Sequence, residues 1–230
     1  LSGAGTDILI TELTDAILSS RNKPDRKPLI VSACPAWVKY CEQFLPELLP
    51  MLSTLKTPQQ ISGAIIKSVV PASNDKSRIY TVSVTPCTAM KFEARRDSMT
   101  RKGISDIDTV LTVRELARLI VLYGIDITNI DPEPADEPMA LRSSSSLLAE
   151  SAGGITESVL RSLAARMGEK DAEKPALKKL RNTVSFRETM VTAGGESFSV
   201  AVVDGLKGLT RIRQMIEGGA KYDLIEVMAC

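Results

Sequence analysis

The stretch PLIVSACPAW, residues 28–37, carries the signal that predicts the fold. Its first part, PLIVSA, is mostly apolar and is typical of a buried strand. Pro35 follows Cys34 directly, and a proline in the first turn favours the start of a helix. A buried strand that leads straight into a helix, with a thiol at the junction, indicates a parallel α/β sheet.

The same alternation of strands and helices continues along the chain. Further strands are predicted at residues 78–86, 108–112, 198–203 and 222–229. Helices are predicted at residues 11–20, from 35, 57–71, from 88, 114–123, 155–167 and 206–216. The pattern favours an α/β fold with twisted, largely parallel sheets flanked by helices.

A break in this pattern divides the chain into two predicted lobes. Residues 126–146 form an acidic, proline-rich stretch that ends in a serine run, which is typical of a connecting loop. We therefore expect a first lobe at 1–125 and a second at 147–230. The chain starts without Met and stops at Cys230 after a strand-like run, so we also expect it to be a piece of a longer protein.

The composition excludes several classes of function. Lys and Arg total 29 against 28 Asp and Glu, which gives no electrostatic footprint for nucleic acid. Histidine is absent, so imidazole acid–base chemistry and histidine-ligated metals are excluded within this chain. The longest apolar run is too short to span a membrane, and the first residues do not resemble a signal peptide. Four cysteines without a secretory signal predict a cytoplasmic protein.

Three of the four cysteines follow predicted strands. Cys34, Cys87 and Cys230 each come at the end of one, and the carboxyl ends of parallel strands meet at one edge of a sheet. Converging thiolates favour an iron–sulfur cluster or zinc. The alternative is that they are ordinary buried cysteines. Cys41 lies along a predicted helix without a companion ligand, so we interpret it as a packing or surface residue.

Around these cysteines the sequence resembles the catalytic H-cluster domain of the FeFe (iron-only) hydrogenases. The family signatures TSCCPxW, MPCTxKxxE and ExMACxxGC match VSACPAW at 31–37, TPCTAMKFE at 85–93 and EVMAC at 226–230. Linking segments such as FLPELLPMLSTLKTPQQISGA also match, in the same order. The resemblance covers nearly the whole chain and implies a metal site between the two lobes.

The resemblance implies a specific set of ligands. Cys34, Cys87 and Cys230 match ligands of a 4Fe–4S cluster, and the fourth family cysteine lies beyond position 230 in the family pattern. A diiron subcluster with CO, CN and a bridging dithiolate is implied beside it. Other positions that agree with the family are Gln59, Pro86, Glu93 and Met228. Glu93 is interpreted either as a residue that supports the cluster or as a solvated carboxylate.

Several positions depart from the family along its proton path. Ala33 stands where catalytic members carry the cysteine that passes protons to the diiron site, and a methyl group cannot carry a proton. Leu13 and Ala16 match positions of relay glutamates. Ser53 matches the relay serine, although a serine at a turn is the simpler interpretation.

Two more departures concern the pocket around the diiron group. Thr85 replaces the family methionine before Pro86. Met90 replaces a lysine that contacts a cyanide ligand, which removes a charge-assisted hydrogen bond, although Lys91 could substitute by a shift of register.

These losses predict a slow hydrogenase that resembles the sensory branch of the family. One alternative is a working enzyme with another proton route. Another is a non-catalytic iron–sulfur protein related to the hydrogenase-like factors of cytosolic cluster assembly, and a third is a metal-free interaction domain. The implied partners are H₂ and protons, hydrogenase maturation proteins, and an electron-transfer iron–sulfur domain or signalling module. The oxygen-sensitive cluster that the resemblance implies fits an anaerobe.

Overall fold

The structure, a computed structural model, describes residues 2–23, 26–69, 79–134, 143–169 and 185–229. Within these ranges the α-helices are α1 Ser2–Ser20, α2 Pro35–Phe44, α3 Pro58–Val69, α4 Ala89–Ala94, α5 Val113–Leu122, α6 Ser144–Leu148, α7 Gly154–Arg166 and α8 Leu209–Glu217. The strands are β1 Leu29–Ile30, β2 Val82–Thr85, β3 Thr100–Arg101, β4 Ile104–Ser105, β5 Thr109–Thr112, β6 Phe186–Ala193, β7 Glu196–Asp204 and β8 Leu224–Met228. The charged stretch 170–184 lies outside the described residues.

A four-stranded sheet in the order β1-β8-β7-β6 forms the centre of the structure. The β1–β8 and β7–β8 pairs are parallel, and the β6–β7 hairpin is antiparallel. β2 and β5 form a second, parallel pair, and β3 and β4 a short antiparallel ribbon. The predicted α/β fold, with parallel-containing sheets flanked by helices, is confirmed.

Both faces of the four-stranded sheet are covered by helices. Along β7, Val200 and Val202 contribute to the core cluster that contains residues of α1 and α7, whereas Ala201 and Val203 contribute to the cluster with Trp37 of α2 and residues of α8. This alternation follows from the two-residue period of a strand. The sheet is therefore the middle layer of three, and its strand ends lie between the helix layers.

The helix α1 is longer than the sequence pattern predicted. It begins at Ser2 rather than near Thr11. The prediction missed its first turns because glycines there weigh against helix propensity. Gly5 explains their presence: a Cβ there would lie 2.3 Å from the carbonyl oxygen of Pro58 on α3. The small residues of α1 let the two helices approach closely.

Two other elements differ from the sequence interpretation. The serine run is not wholly loop, because α6 forms there with the Ser143 hydroxyl accepting a hydrogen bond from the Ser146 amide at 3.1 Å. Strand β6 had no sequence prediction. Its signal was the dipeptide Gly194-Gly195, whose residues both have positive φ, at 58° and 78°, as a tight hairpin requires.

The lobe division at 126–146 stays a prediction. Strand β1 comes from the first predicted lobe, and β6, β7 and β8 come from the second. The central sheet therefore contains strands from both sides of that boundary.

Candidate metal centre at the strand ends

Cys34 lies where the chain leaves β1 and enters α2. It is the N-cap residue of α2, with extended backbone angles, and its carbonyl accepts the first helical hydrogen bond from the Val38 amide at 3.1 Å. The thiol takes no part in capping and is half-buried. The strand and the helix therefore fix the position of the thiol at the edge of the sheet.

The end of β8 meets this thiol. Because β1 and β8 are neighbouring parallel strands, their carboxyl ends lie at the same edge. The Ala229 amide donates a hydrogen bond to Cys34 Sγ at 3.5 Å. The structure thus brings the first cysteine segment together with the residue before Cys230. Cys230 itself lies outside the described residues.

Cys87 follows the second sheet. It comes two residues after β2, in a turn in which the Thr85 hydroxyl accepts a hydrogen bond from the Cys87 amide at 3.3 Å. Pro86 between them is exposed, and the thiol of Cys87 is half-buried. Neither Cys34 nor Cys87 is in a disulfide.

The helices that follow these two cysteines contact one another. Arg96, just after α4, forms an ion pair with Glu42 of α2, and Lys39 Nζ lies 5.1 Å from the centre of the Phe92 ring. This packing holds the Cys34 and Cys87 loops on the same part of the molecule. Across the described ranges, however, no three ligating side chains converge.

Gln59 contacts Met90, another residue that was predicted to lie near the diiron group. Its amide nitrogen donates to the Met90 carbonyl at 3.4 Å, and its amide oxygen accepts from the Ser83 hydroxyl at 2.7 Å. Met228, on β8, accepts a hydrogen bond from the Gly205 amide at 2.8 Å. Ala33, between Ser32 and Cys34, is half-buried and packs against the core.

Lys91 has a partner on another helix. Its ammonium nitrogen lies 2.5 Å from each carboxylate oxygen of Glu115, on α5. The hydrogen bond from Lys91, together with those from Thr112, lowers the pKa of Glu115 to about 2. Because the Lys91 ammonium is held by Glu115, the structure does not favour Lys91 as the replacement for the lysine that is missing at position 90.

Glu93 is buried and belongs to a polar cluster. Its Oε2 accepts hydrogen bonds from the Thr57 hydroxyl at 2.7 Å and from the Gln60 amide at 3.4 Å. Burial raises its pKa, and these hydrogen bonds and the nearby cations oppose that effect. Glu93 also lines a partly open cavity of about 200 Å³, shared with Ser53. The Ser53 hydroxyl accepts from the Leu55 amide at 3.2 Å, which is the turn arrangement that the simpler interpretation predicted.

Glu226 was quoted only as part of a signature, yet its side chain anchors the strand that leads to Cys230. Its carboxylate is 1% exposed and accepts from the Gly153 amide at 2.9 Å, the Thr156 amide at 2.7 Å and the Thr156 hydroxyl at 2.7 Å. Burial raises its pKa. The contact ties β8 to the start of α7. A signal was present in the sequence, since a charged residue interrupts an otherwise apolar strand.

Comparisons with known proteins show the family of the chain. A family model described as iron only hydrogenase large subunit, C-terminal domain, matches residues 3–230. The chain belongs to this family. The resemblance to the FeFe hydrogenase H-cluster domain is thereby confirmed at the level of the family.

Relatives of this hydrogenase family member fall into two groups. The chain is 34% identical to iron hydrogenase 1 of Clostridium pasteurianum, in an alignment that covers 98% of the chain and 40% of that protein. It is also 34% identical to the periplasmic [Fe] hydrogenase large subunit of Nitratidesulfovibrio vulgaris, covering 97% of the chain and 54% of that protein. The cytosolic iron-sulfur assembly component 3 of Mus musculus is 29% identical, over 95% of the chain and 48% of that protein. The chain thus spans about half the length of these relatives.

Solved hydrogenase structures show the same fold. An apo [FeFe]-hydrogenase from Chlamydomonas reinhardtii superposes with a TM-score of 0.75 at 24% identity, over 98% of this chain and 65% of that chain. A structure from a study of [FeFe]-hydrogenase oxygen inactivation gives 0.77 at 23% identity, over 100% of this chain and 67% of that one. No helix in the described ranges combines the length and apolar character needed to cross a bilayer.

The donors in the described residues fit an iron–sulfur cluster. Cys34 and Cys87 carry soft thiol donors that are free of disulfides. The hydrogen bond that the Ala229 amide donates to Cys34 Sγ is of the type that tunes the reduction potential of a cluster.

Proposed function

We propose that the chain is the cofactor-binding domain of a slow FeFe hydrogenase that senses H₂. The observation that carries the proposal is the hydrogen bond from the Ala229 amide to Cys34 Sγ, because it joins the first and third cysteine segments at one sheet edge. Cys34, Cys87 and Cys230 would hold a 4Fe–4S cluster. The residues facing the adjoining diiron subcluster would be Gln59, Thr85, Pro86, Met90 and Met228.

When bound, the cofactor supplies heterolytic splitting of H₂ and passes the electrons on. The chain's own residues position and shield it. Gln59 fixes the Met90 backbone against β2, and Thr85 orders the turn before Cys87. Glu226 holds the strand that leads to Cys230.

The proposed low rate rests on Ala33 and its surroundings. A methyl group at this position neither donates nor accepts a proton, so the chain offers no side-chain relay between Ser32 and Cys34. The Ser53 hydroxyl accepts a hydrogen bond from the Leu55 amide and is thereby held in a turn. A site that binds H₂ but exchanges protons slowly suits a sensor, whose output is the state of its cluster.

A second candidate function is that of a non-catalytic cluster protein. It is favoured by the relatives named as cytosolic iron-sulfur assembly component 3, at 29–30% identity. In that case the chain holds the 4Fe–4S cluster without a diiron group.

Partners and compartment belong to the same proposal. The substrates are H₂ and protons, the maturation proteins supply the diiron group, and an electron-transfer iron–sulfur domain or signalling module receives the output. The names of the assembly relatives support a cytoplasmic location for this chain, whereas one hydrogenase relative is named as periplasmic.

Infrared spectroscopy of the full-length protein, matured without oxygen, tests the proposal. We expect sharp CO and CN stretching bands under argon that shift under H₂, together with slow H₂ turnover. Iron sufficient for a 4Fe–4S cluster without such bands would contradict the hydrogenase function and support the assembly-type alternative. Matching bands with fast turnover would contradict the sensory role.

A further inference from the structure

A polar cavity adjoins the candidate metal centre. Its volume is about 200 Å³, and it is partly open to solvent. Its lining includes Ser32 and Pro35, which lie on either side of Cys34. It also includes the polar residues Ser53, Lys56, Glu93 and Arg96. Because Ser32 and Pro35 flank Cys34, and Glu93 belongs to α4, the helix after Cys87, the cavity reaches from solvent towards both cysteine loops. A space of this size holds several water molecules.

The charged groups of this cavity have different partners. Lys56 is paired with Asp106, and Arg96 with Glu42. Glu93 instead has neutral partners, since Thr57 and Gln60 donate to it. Of the ionisable side chains that line the cavity, Glu93 is therefore the one that can change its protonation without breaking an ion pair.

The two oxygens of Glu93 have different surroundings. Both hydrogen bonds go to Oε2. Within the described residues Oε1 has no hydrogen-bond partner, although the residue as a whole is 4% exposed and lines the cavity. A carboxyl oxygen in this position is available to cavity water. The other oxygen is tied to α3, next to Gln59, which contacts Met90.

We infer that Glu93 is a proton-exchanging residue that takes up a proton from the cavity water and releases it towards the centre formed by the Cys34 and Cys87 loops. In the uptake step the carboxylate and one proton form a neutral carboxylic acid, and in the release step the same O–H bond breaks. No electrons move in either step. The destination of the proton rests on the proposed function, whereas the exchange with the cavity does not.

The surroundings of Glu93 support this role. Burial is the largest influence on its pKa and raises it, so the carboxyl holds a proton at a higher pH than an exposed glutamate does. The groups that oppose this are the Thr57 hydroxyl, just before α3, and the Gln60 amide of α3, then the charges of Arg96 and Lys56. A buried carboxyl with hydrogen-bond donors on one oxygen and a cavity beside it can bind a proton and release it again.

The first experiment uses the full-length protein expressed without maturation proteins. In ¹³C-glutamate-labelled protein titrated with acid, we expect an infrared C=O band of a neutral carboxylic acid that appears at a higher pH than the band of the exposed glutamates and is reduced in Glu93→Gln. Glu12→Gln, an exposed glutamate on α1, is the matched control and leaves the band unchanged. On transfer to D₂O the Glu93 component shifts at once, whereas that of the enclosed Glu226 shifts later. A spectrum in which Glu93→Gln changes nothing, or a Glu93 component that exchanges as slowly as that of Glu226, overturns the inference.

The second experiment uses the matured protein. Glu93→Gln is expected to keep the iron content and the CO and CN bands but to slow H₂/D⁺ exchange by at least about tenfold, with an altered pH profile. Glu12→Gln keeps the wild-type rate and profile. Exchange within twofold of the wild type, with the bands present, overturns the role of Glu93. Absence of CO and CN bands from the wild-type protein instead contradicts the proposed function, and the D₂O experiment then still decides whether Glu93 exchanges protons with the cavity.

Discussion

Two cysteines seven positions apart have opposite environments. Cys34 is half-buried at the edge of the sheet, where the Ala229 amide contacts its sulfur. Cys41 is 0% exposed, donates to the Leu45 carbonyl at 3.3 Å and packs with Trp37. Burial, followed by the charges of Glu47 and Glu42, raises the pKa of Cys41 to about 11. Cys41 is thus a packing residue rather than a surface residue.

We expect thiol alkylation to separate these cysteines. In cofactor-free protein near neutral pH, iodoacetamide should label Cys34 and Cys87, whereas Cys41 should remain unlabelled because it is buried and protonated. After cluster loading, Cys34 and Cys87 should be protected. Peptide mass spectrometry measures the labelling, with Cys41→Ala as the control. Labelling of Cys41 as fast as Cys34 would show that its environment is open in solution.

At the scale of elements, the corner between α6 and α7 depends on two glycines and one distant carboxylate. Gly153 has φ of 91° and provides no capping side chain, so Glu226 from β8 accepts the hydrogen bonds of the helix start. A Cβ on Gly154 would lie 1.7 Å from the Leu148 carbonyl oxygen. The strand before Cys230 and the helix α7 are therefore positioned together.

Loss of the Glu226 carboxylate should destabilise this corner. Glu226→Ala leaves buried donors of Gly153 and Thr156 without an acceptor, and we expect the free energy of unfolding to fall by about 3 kcal/mol. Urea denaturation followed by circular dichroism measures the loss. A change within experimental error would mean that water replaces the carboxylate.

Glu226→Gln is the matched variant, and it tests how the stability of the folded chain depends on pH. Because the pKa of Glu226 is raised in the folded chain, the folded state binds its proton more tightly than the unfolded state does. The wild-type protein therefore loses stability as pH rises above the ordinary glutamate value of 4.5 and through the raised value. Glu226→Gln has no such proton, so its stability relative to the wild type should improve as pH rises. A constant difference across pH would contradict the raised pKa.

At the scale of the whole molecule, the two predicted lobes are joined by extensive packing. Strand β1 pairs with β8, and α1 packs in one core cluster with residues of α7. These contacts join segments on either side of 126–146. They bury apolar surface, which is the main favourable contribution to association.

A cut between Pro134 and Ser143 should therefore leave the halves associated. We expect a protein with a protease site inserted there to elute as one species from a size-exclusion column after cleavage, and to separate in denaturant. An uncut sample and a sample cut after denaturation are the controls. Separation of the two halves under native conditions would show that each lobe folds independently.

Local sequence information predicted many of the elements but not their extent. The start of α2 was found because Pro35 and the preceding apolar run act within a few residues of each other. The first turns of α1 were missed because Gly5 is unfavourable locally and is explained by contact with Pro58, far along the chain. β6 was missed although Gly194-Gly195 provided a hairpin signal.

The sequence by itself determined the α/β class, the order of the cysteine segments and the absence of histidine chemistry, because residue type, spacing and periodicity are local properties. The tertiary structure decided which distant groups meet. It placed the Ala229 amide at Cys34 Sγ, the Glu226 carboxylate at the start of α7 and Glu93 at the wall of a cavity. The physical reason is that hydrogen-bond partners and burial depend on strand order and helix packing, which bring together residues up to 195 positions apart.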